Sequence, residues 1–268
     1  LLLAPVGRLR SLRATQAIYA GLFTNEVVPL RFGELVRAFL ASRWLDSRIP
    51  AVVPSMVVER FLDALWLAAG IGIAAIFVPL PKNLTEAGDV LGGVVLAAIV
   101  VFVWIVMRRE RELEHGVDER APKTKVTTAV AHFISGLARG LREIGISRNL
   151  YTAAVLSAAM LACQALAVWF IMLACGLNLP IGVGAVVLLV VRLGTAIPNA
   201  PANVGSFQFF TVLALGLFGV DKTLAAGFSI VDFAILTAPL WIIGLFALAR
   251  TGMTLGMIKA EISALRKT

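Results

Sequence analysis

The side chains most able to do chemistry are ionisable groups inside apolar segments. In VVERFLDALWLAAG, Glu59 and Asp63 are four residues apart and share one helical face, with Arg60 about 100° around the helix. A charge at the centre of a bilayer costs about 2.5 to 3.5 kcal/mol even on a lenient scale, so such groups need a partner or a wet cavity. The cluster predicts a substrate site or a structural ion pair. The third interpretation is that the three residues lie near the cytoplasmic end of the span, where their side chains reach water.

A second set lies in TNEVVPLRFGELVRAFL, where Glu34 and Arg37 are spaced to meet the first cluster from another helix. Arg192 and Asp232 form an analogous predicted pair. Asn203 and Gln208 could meet a phosphate or sugar headgroup, or cap the helices beside them. The candidate substrate-binding residues are Asn25, Arg31, Glu34, Arg37, Glu59, Arg60, Asp63, Arg192, Asn203, Gln208 and Asp232.

The sequence offers no pattern for enzymatic chemistry. No Cys, His, Asp and Glu set has metal-ligand spacing, and no phosphate-binding glycine loop or nucleophile elbow occurs. Cys163 and Cys175 lie in or at the end of one apolar helix, where a thiol behaves as a small hydrophobe, so we expect no disulfide. We therefore predict no catalytic residue, no metal, no cofactor and no nucleic-acid partner.

Composition determines the broad class. Hydrophobic residues make up 59% of the chain and charged residues 15%, and the mean hydropathy is +0.91, far from the soluble average. A bilayer core of about 30 Å needs about 20 helical residues. Apolar runs of that length occur at residues 57–79, 90–107, 150–174 and 223–249, with a shorter one at 181–197. The chain is predicted to be an all-α polytopic membrane protein.

The basic residues predict the orientation. The net charge is +8, and Arg and Lys concentrate at residues 8–13, 43–48 and 107–150 and in the C-terminal tail. The connections at 80–89, 176–180 and 219–222 have little or balanced charge. Under the positive-inside rule the basic regions, including the C-terminus, are cytoplasmic.

This orientation gives the interrupted segment a shape. If residues 8–13 and 43–48 are both inside, residues 14–48 enter the membrane and return on the same side as a re-entrant hairpin. The hairpin would be broken near Pro29, which lacks a backbone donor, and Gly33, which permits an unusual turn. A single interfacial amphipathic helix is the alternative. The spacing Pro29 to Gly33 recurs as Pro201 to Gly205, after Pro198, in a second hairpin at 181–219. The two halves would have opposite topology, as in transporters with inverted repeats.

The remaining segments follow from the same reading. Residues 52–107 are predicted to form two transmembrane helices, residues 150–174 one, and residues 223–250 the last. Residues 108–149 are a cytoplasmic linker and an amphipathic surface helix, whose apolar residues recur at spacings of three and four from 126 to 144. All of residues 1–268 form one membrane domain in this reading.

The two interrupted segments resemble the lysylphosphatidylglycerol synthase transmembrane region family. Its first pattern, N-x-x-x-P-x-R-x-G-E-x-x-R followed by E-R-x-x-D, matches at Asn25, Pro29, Arg31, Gly33, Glu34, Arg37, Glu59, Arg60 and Asp63. Its second pattern, near P-G-G-x-G-x-x-E, falls on residues 201–208. There the chain departs from it, because Ala202 and Asn203 stand at two glycine positions and Gln208 at the acid.

The resemblance implies a flippase-like protein of a bacterial or archaeal cytoplasmic membrane, with two further spans before residue 1. No aminoacyl-transferase domain accompanies it, which argues against lipid synthesis. We expect translocation of a polar phospholipid or glycolipid, with Arg37, Arg60 and Arg192 meeting the phosphate and Glu34, Glu59 and Asp63 positioning those cations or a headgroup amine. The alternatives are a non-transporting scaffold for an envelope lipid or glycan enzyme, and a membrane-embedded glycosyltransferase. The expected partners are membrane lipids whose headgroup includes a phosphate, and an envelope-biosynthesis enzyme. Assembly into a homo-oligomer is left open.

Overall fold

The computed structural model describes residues 1–28, 32–77, 93, 148–196 and 201–252. These residues form helices and no strand, so the all-α class is confirmed for this part of the chain. The elements are α1 (Ser11–Val27), α2 (Gly33–Trp44), α3 (Ile49–Phe77), α4 (Arg148–Ala174), α5 (Ile181–Gly194), a short 3-10 helix (Pro201–Asn203), α6 (Ser206–Gly216) and α7 (Lys222–Arg250). The predicted span at 90–107, apart from Gly93, and the predicted surface helix at 126–144 lie outside the described residues. Pro29, Arg31 and Pro198 lie outside them as well.

Two of the described helices are long and apolar enough to cross a membrane. α4 has 27 residues and α7 has 29, and only 17% of the most apolar stretch of each is buried. A core helix of a soluble protein would bury most of that surface. Large apolar side chains point outward instead, among them Met160, Phe170, Ile242 and Phe246. An apolar outer surface of this kind is stable in lipid.

The third long helix, α3, begins at Ile49, eight residues before the apolar run predicted at 57–79. Two prolines lie within this stretch. Pro50 lies in the first turn, where a missing backbone donor costs nothing. Pro54 lies inside the helix and is buried.

The chain divides into two compact units. The first contains Leu1–Gly7 and Ser47–Ala165, and therefore α3 and the first part of α4. Two hydrogen bonds join these helices. Trp66 Nε1 donates to Ala154 O at 3.0 Å, and Ser157 Oγ donates to Asp63 Oδ1 at 3.4 Å. Because a later residue of α3 meets an earlier residue of α4, the two helices run antiparallel.

The second unit contains Arg8–Asp46 and Leu166–Thr268. Helix α1 packs between α2 and α7, and α6 packs against both α5 and α7. The core between α1, α2 and α7 is apolar, and its buried members are Ala17, Ala20, Val36, Leu40 and Leu248. Gln16 Nε2 donates to Ala247 O at 3.2 Å, and the backbone of Gly244 lies against Tyr19 and Phe23. Helices α1 and α7 are therefore also antiparallel.

Candidate functional site at the two helix breaks

The first break separates α1 from α2. Helix α1 ends at Val27, and α2 begins at Gly33. The first amides of a helix have no partner within it, and here one of them is satisfied from across the break. Gly33 N donates to Asn25 Oδ1 at 2.7 Å. Asn25, predicted as a substrate-binding residue, therefore caps α2 from the last turns of α1.

Gly33 is at this break because two backbones touch. A Cβ at Gly33 would overlap Gly21 O and would lie 2.6 Å from Asn25 Oδ1. A Cβ at Gly21 would lie 2.8 Å from Gly33 O. Gly33 is not among the residues with positive φ, so the close approach, and not an unusual turn, requires glycine. Sequence reasoning missed Gly21, because its neighbour in space is twelve residues away.

The second break has left-handed backbone. Ala202 has φ 55° and ψ 13°, Asn203 has φ 53° and Gly205 has φ 86°. A side chain disfavours this region, and only glycine enters it freely. The family pattern has glycine at all three of these positions, so the geometry gives a physical reason for that pattern. In this chain Ala202 adopts the left-handed conformation although it has a Cβ.

Gln208 caps the helix that follows this break. Gly205 N donates to Gln208 Oε1 at 2.7 Å, three residues apart, as in the second half of a capping box. The sequence left two roles open for the polar residues here, headgroup binding and helix capping. The structure shows capping for Gln208.

Charged residues stand at the two helix ends beside the breaks. Glu34 lies in the first turn of α2, and Arg192 lies in the last turn of α5. An acid at a helix N-terminus and a base at a C-terminus both complement the helix dipole. Arg37 is one turn into α2, and its Cβ would lie 3.2 Å from a Cβ at Gly21. All three side chains are partly exposed within the second unit.

The two breaks belong to the same compact unit. Helix α1, which leads into the first break, packs against the 3-10 helix Pro201–Asn203 of the second. Ala202 is buried there. The sequence could not decide whether the two interrupted segments meet. In the structure the first helical hairpin lies directly against the second break.

Asp232 lies near this junction and is 1% exposed. Phe207, in the first turn of α6, packs edge-on against Phe233 with ring centroids 5.4 Å apart, which places Asp232 at the level of the second break. Its Oδ1 has no hydrogen-bond partner among the described residues. Arg192 therefore makes no hydrogen bond to this oxygen, and the predicted pair between Arg192 and Asp232 stays a prediction.

The hydroxyl groups of the five fully buried serine and threonine residues behave differently, whereas the buried hydroxyl oxygen of the half-buried Ser47, in the first unit, has no partner among the described residues. Each of the five donates to a backbone carbonyl of its own helix at 2.7 to 2.9 Å, and they are Thr24, Ser42, Ser55, Thr211 and Ser229. This back-bonding satisfies a polar group without any neighbouring helix. Asp232 cannot do the same, because an ionised carboxylate has no hydrogen to donate.

The Glu59, Arg60 and Asp63 cluster belongs to the first unit. Arg60 Nη1 lies 3.2 Å from Asp63 Oδ2, and these side chains are 55% and 37% exposed. Asp63 Oδ1 also accepts the bond from Ser157. The cluster thus includes an ion pair within α3 and a tie from α3 to α4. Its pairing with Glu34 and Arg37 stays a prediction. Ser157 was missed, since a lone serine in an apolar run carries no signal.

Neither metal ligands nor a disulfide occur among the residues described. Within them no group of three or more His, Cys, Asp or Glu side chains is close enough to hold a metal ion. Cys163 and Cys175 are exposed free thiols.

Two long apolar helices whose large apolar side chains point outward are typical of an α-helical membrane protein. The sequence matches the family described as "Lysylphosphatidylglycerol synthase TM region" over residues 1–244, and the chain belongs to this family. It is also similar to the protein described as "UPF0104 membrane protein MJ1078" from Methanocaldococcus jannaschii, with 24% identity over 206 residues. That match covers 75% of this chain and 82% of the relative. No solved structure matches the chain.

Proposed function

We propose that this protein translocates a polar lipid, a phospholipid or glycolipid with a phosphate in its headgroup, across a bacterial or archaeal cytoplasmic membrane. The observation that carries the proposal is the packing of α1 against the 3-10 helix Pro201–Asn203. It brings the two interrupted segments of the chain together. A transporter needs such a place, because polar groups can cross lipid only where protein or water satisfies them.

In this proposal both hairpins are re-entrant. Helices α2 and α6 have 12 and 11 residues, about 18 and 17 Å, too short for a bilayer core of about 30 Å. The first hairpin with α3 and the second with α7 form an inverted repeat. Under the positive-inside rule, the cytoplasmic side of this arrangement has Arg8 and Arg43, which flank the first hairpin, and Arg250, which ends α7.

The headgroup passes the ends of the broken helices, and the acyl chains stay in lipid. Arg37 and Arg192 meet the phosphate, since arginine matches phosphate geometry with two parallel donors. Glu34 positions Arg37 one turn away. The backbone at both breaks is already capped by Asn25 and Gln208, so capping does not require the charged side chains.

The test is lipid translocation in proteoliposomes. The purified protein is reconstituted with trace fluorescent phosphatidylglycerol, phosphatidylethanolamine or a polyprenyl phosphate, and a membrane-impermeant quencher reports arrival in the outer leaflet. We expect the intact protein to move at least one of these lipids faster than protein-free vesicles. Absence of transport for all three would overturn the proposal and favour the scaffold.

Arg37→Gln tests the assigned site against a matched control. A hydrogen bond to a charged group is worth about 1.5 to 3 kcal/mol, so we expect a rate loss of about tenfold or more. Arg43→Gln changes the same residue type on the same helix, at its exposed last turn, and should transport at the normal rate. Equal rates for the two variants, after both are shown to fold, would remove Arg37 from the pathway.

A further inference from the structure

The buried carboxyl group of Asp232 is unlike every other buried polar side chain in the described residues of the second unit. It is 1% exposed, and its Oδ1 has no hydrogen-bond partner there, whereas the buried hydroxyls of that unit are all satisfied. A buried ionised carboxylate without a partner is strongly disfavoured in a medium of low dielectric constant. A protonated carboxyl group is not, because it carries no net charge.

In the described residues, neither helix that packs on α7 brings a cation to Asp232, and Arg192, at the end of α5 beside the second break, makes no hydrogen bond to its Oδ1. Helices α1 and α6 pack against α7, and α6 has no titratable residue. Helix α1 has Arg13, Tyr19 and Glu26. Arg13 lies over the ring of Trp44, and Tyr19 lies against Gly244, three turns along α7 from Asp232. Glu26, in the last turn of α1, is itself an acid.

A metal ion fits this position poorly. A calcium site needs about six to eight oxygen ligands, and one carboxyl group supplies two. No group of acidic side chains gathers at Asp232 in the part of the chain that is described. A proton needs only the one oxygen.

We propose that Asp232 binds and releases the proton that couples lipid translocation to a pH gradient, a role that rests on the proposed function. In one half of the cycle Oδ1 takes a proton from the water on one side and the O–H bond makes the group neutral. The neutral group stays buried in α7 at the level of the second break. In the other half the bond breaks, the proton leaves to the opposite side, and the carboxylate is hydrated until it is protonated again.

The first experiment measures protonation without transport. Infrared difference spectra of the reconstituted protein are recorded as the bath pH is raised, and the C=O band of protonated carboxyl groups is followed. We expect a band at neutral pH that Asp232→Asn removes and that Asp46→Asn, at an exposed loop residue, leaves in place. If Asp232→Asn removes no band, the group is ionised at rest and the proposal is wrong, whether or not the protein moves lipid.

The second experiment imposes a pH gradient on proteoliposomes with fluorescent phosphatidylglycerol. With one proton per lipid, each pH unit drives an asymmetry between leaflets of up to about tenfold. We expect Asp232→Asn to lose this asymmetry, Asp232→Glu to recover part of it and Asp46→Asn to keep all of it. Wild-type exchange that ignores the pH gradient would overturn the coupling while leaving the proposed function intact. A response to a sodium gradient at equal pH on both sides would replace the proton by sodium.

Discussion

Asn25 accepts a hydrogen bond from the backbone N–H of Gly33 through its Oδ1, at 2.7 Å. Eight residues separate them, and the break between α1 and α2 lies in that interval. One side chain thus fixes both the start of α2 and its distance from α1. Since Asn25 and Gly33 both belong to the first family pattern, part of that pattern describes how the break is built.

Gly33→Ala should destabilise the protein by about 1 to 3 kcal/mol, because the added methyl group would overlap Gly21 O, which cannot rotate away. Unfolding by denaturant titration in detergent micelles measures the change. Gly227→Ala in α7 is the control, since a Cβ there meets nothing within 4 Å and alanine favours a helix by about 0.5 to 1 kcal/mol. Equal effects of the two substitutions would refute the close contact.

Asn25→Ala should lower the unfolding free energy by about 0.5 to 2 kcal/mol, the usual cost of a lost helix cap. Asn25→Asp retains an acceptor oxygen at the same place and should lose less. The same titration compares the two variants. If alanine and aspartate are equivalent, the hydrogen bond to Gly33 does not stabilise the break.

Gln208→Glu should preserve stability, because a carboxylate can accept the bond from Gly205 N and suits a helix N-terminus. Gln208→Ala should cost about 0.5 to 2 kcal/mol. Thermal unfolding of the two variants is the measurement. Transport assays on the same samples then separate capping from binding, since a residue that only caps should affect transport in proportion to stability.

Ala202→Gly should change the unfolding free energy by less than about 1 kcal/mol. The relief of left-handed backbone, about 1 to 2 kcal/mol, opposes the loss of a buried methyl group, about 0.8 kcal/mol, and the greater chain entropy of glycine. Ala202→Val should cost about 1 to 3 kcal/mol, because a β-branched residue is a strained outlier at φ 55°. A valine variant as stable as the wild type would argue against this backbone conformation.

Asp221 should make the start of α7 sensitive to acid. Its Oδ1 accepts hydrogen bonds from Thr223 N at 2.8 Å and Leu224 N at 3.4 Å. These bonds hold the pKa of Asp221 below its usual value, and the bond from Thr223 has the larger effect. Because the folded pKa is depressed, the cap is fully effective above the ordinary aspartate pKa of about 3.9 and is lost as pH falls through the folded value.

Amide hydrogen exchange at Thr223 and Leu224 checks this expectation. The wild type should be fully protected at about pH 5 and less protected at about pH 3, because the loss begins below the ordinary pKa of about 3.9 and is completed as the pH falls through the depressed pKa of Asp221. Asp221→Asn keeps an uncharged cap and should show little change over that range, while Asp221→Ala should exchange faster at both values. A wild-type protection factor that does not change would contradict the role of the carboxylate.

The membrane class, the helical fold and the family were all accessible from the sequence. Hydropathy is a sum over neighbouring residues, so long apolar runs such as 150–174 identify lipid-facing helices without any tertiary information. Proline and glycine mark interruptions for an equally local reason, the loss of a donor or of a Cβ. The same local rules did not place the start of α3, which begins at Ile49 and includes Pro50 and Pro54 before the predicted apolar run.

What surrounds each polar side chain was decided only by the tertiary structure. The Gly21–Gly33 contact, the Asp63–Ser157 hydrogen bond and the packing of α1 on the second break join residues far apart in the chain, and no periodicity records such distances. Asp232 reads in the sequence like any acid in an apolar helix. Its burial without a partner for Oδ1 depends on how the rest of the second unit packs around α7, because desolvation is set by every neighbour at once.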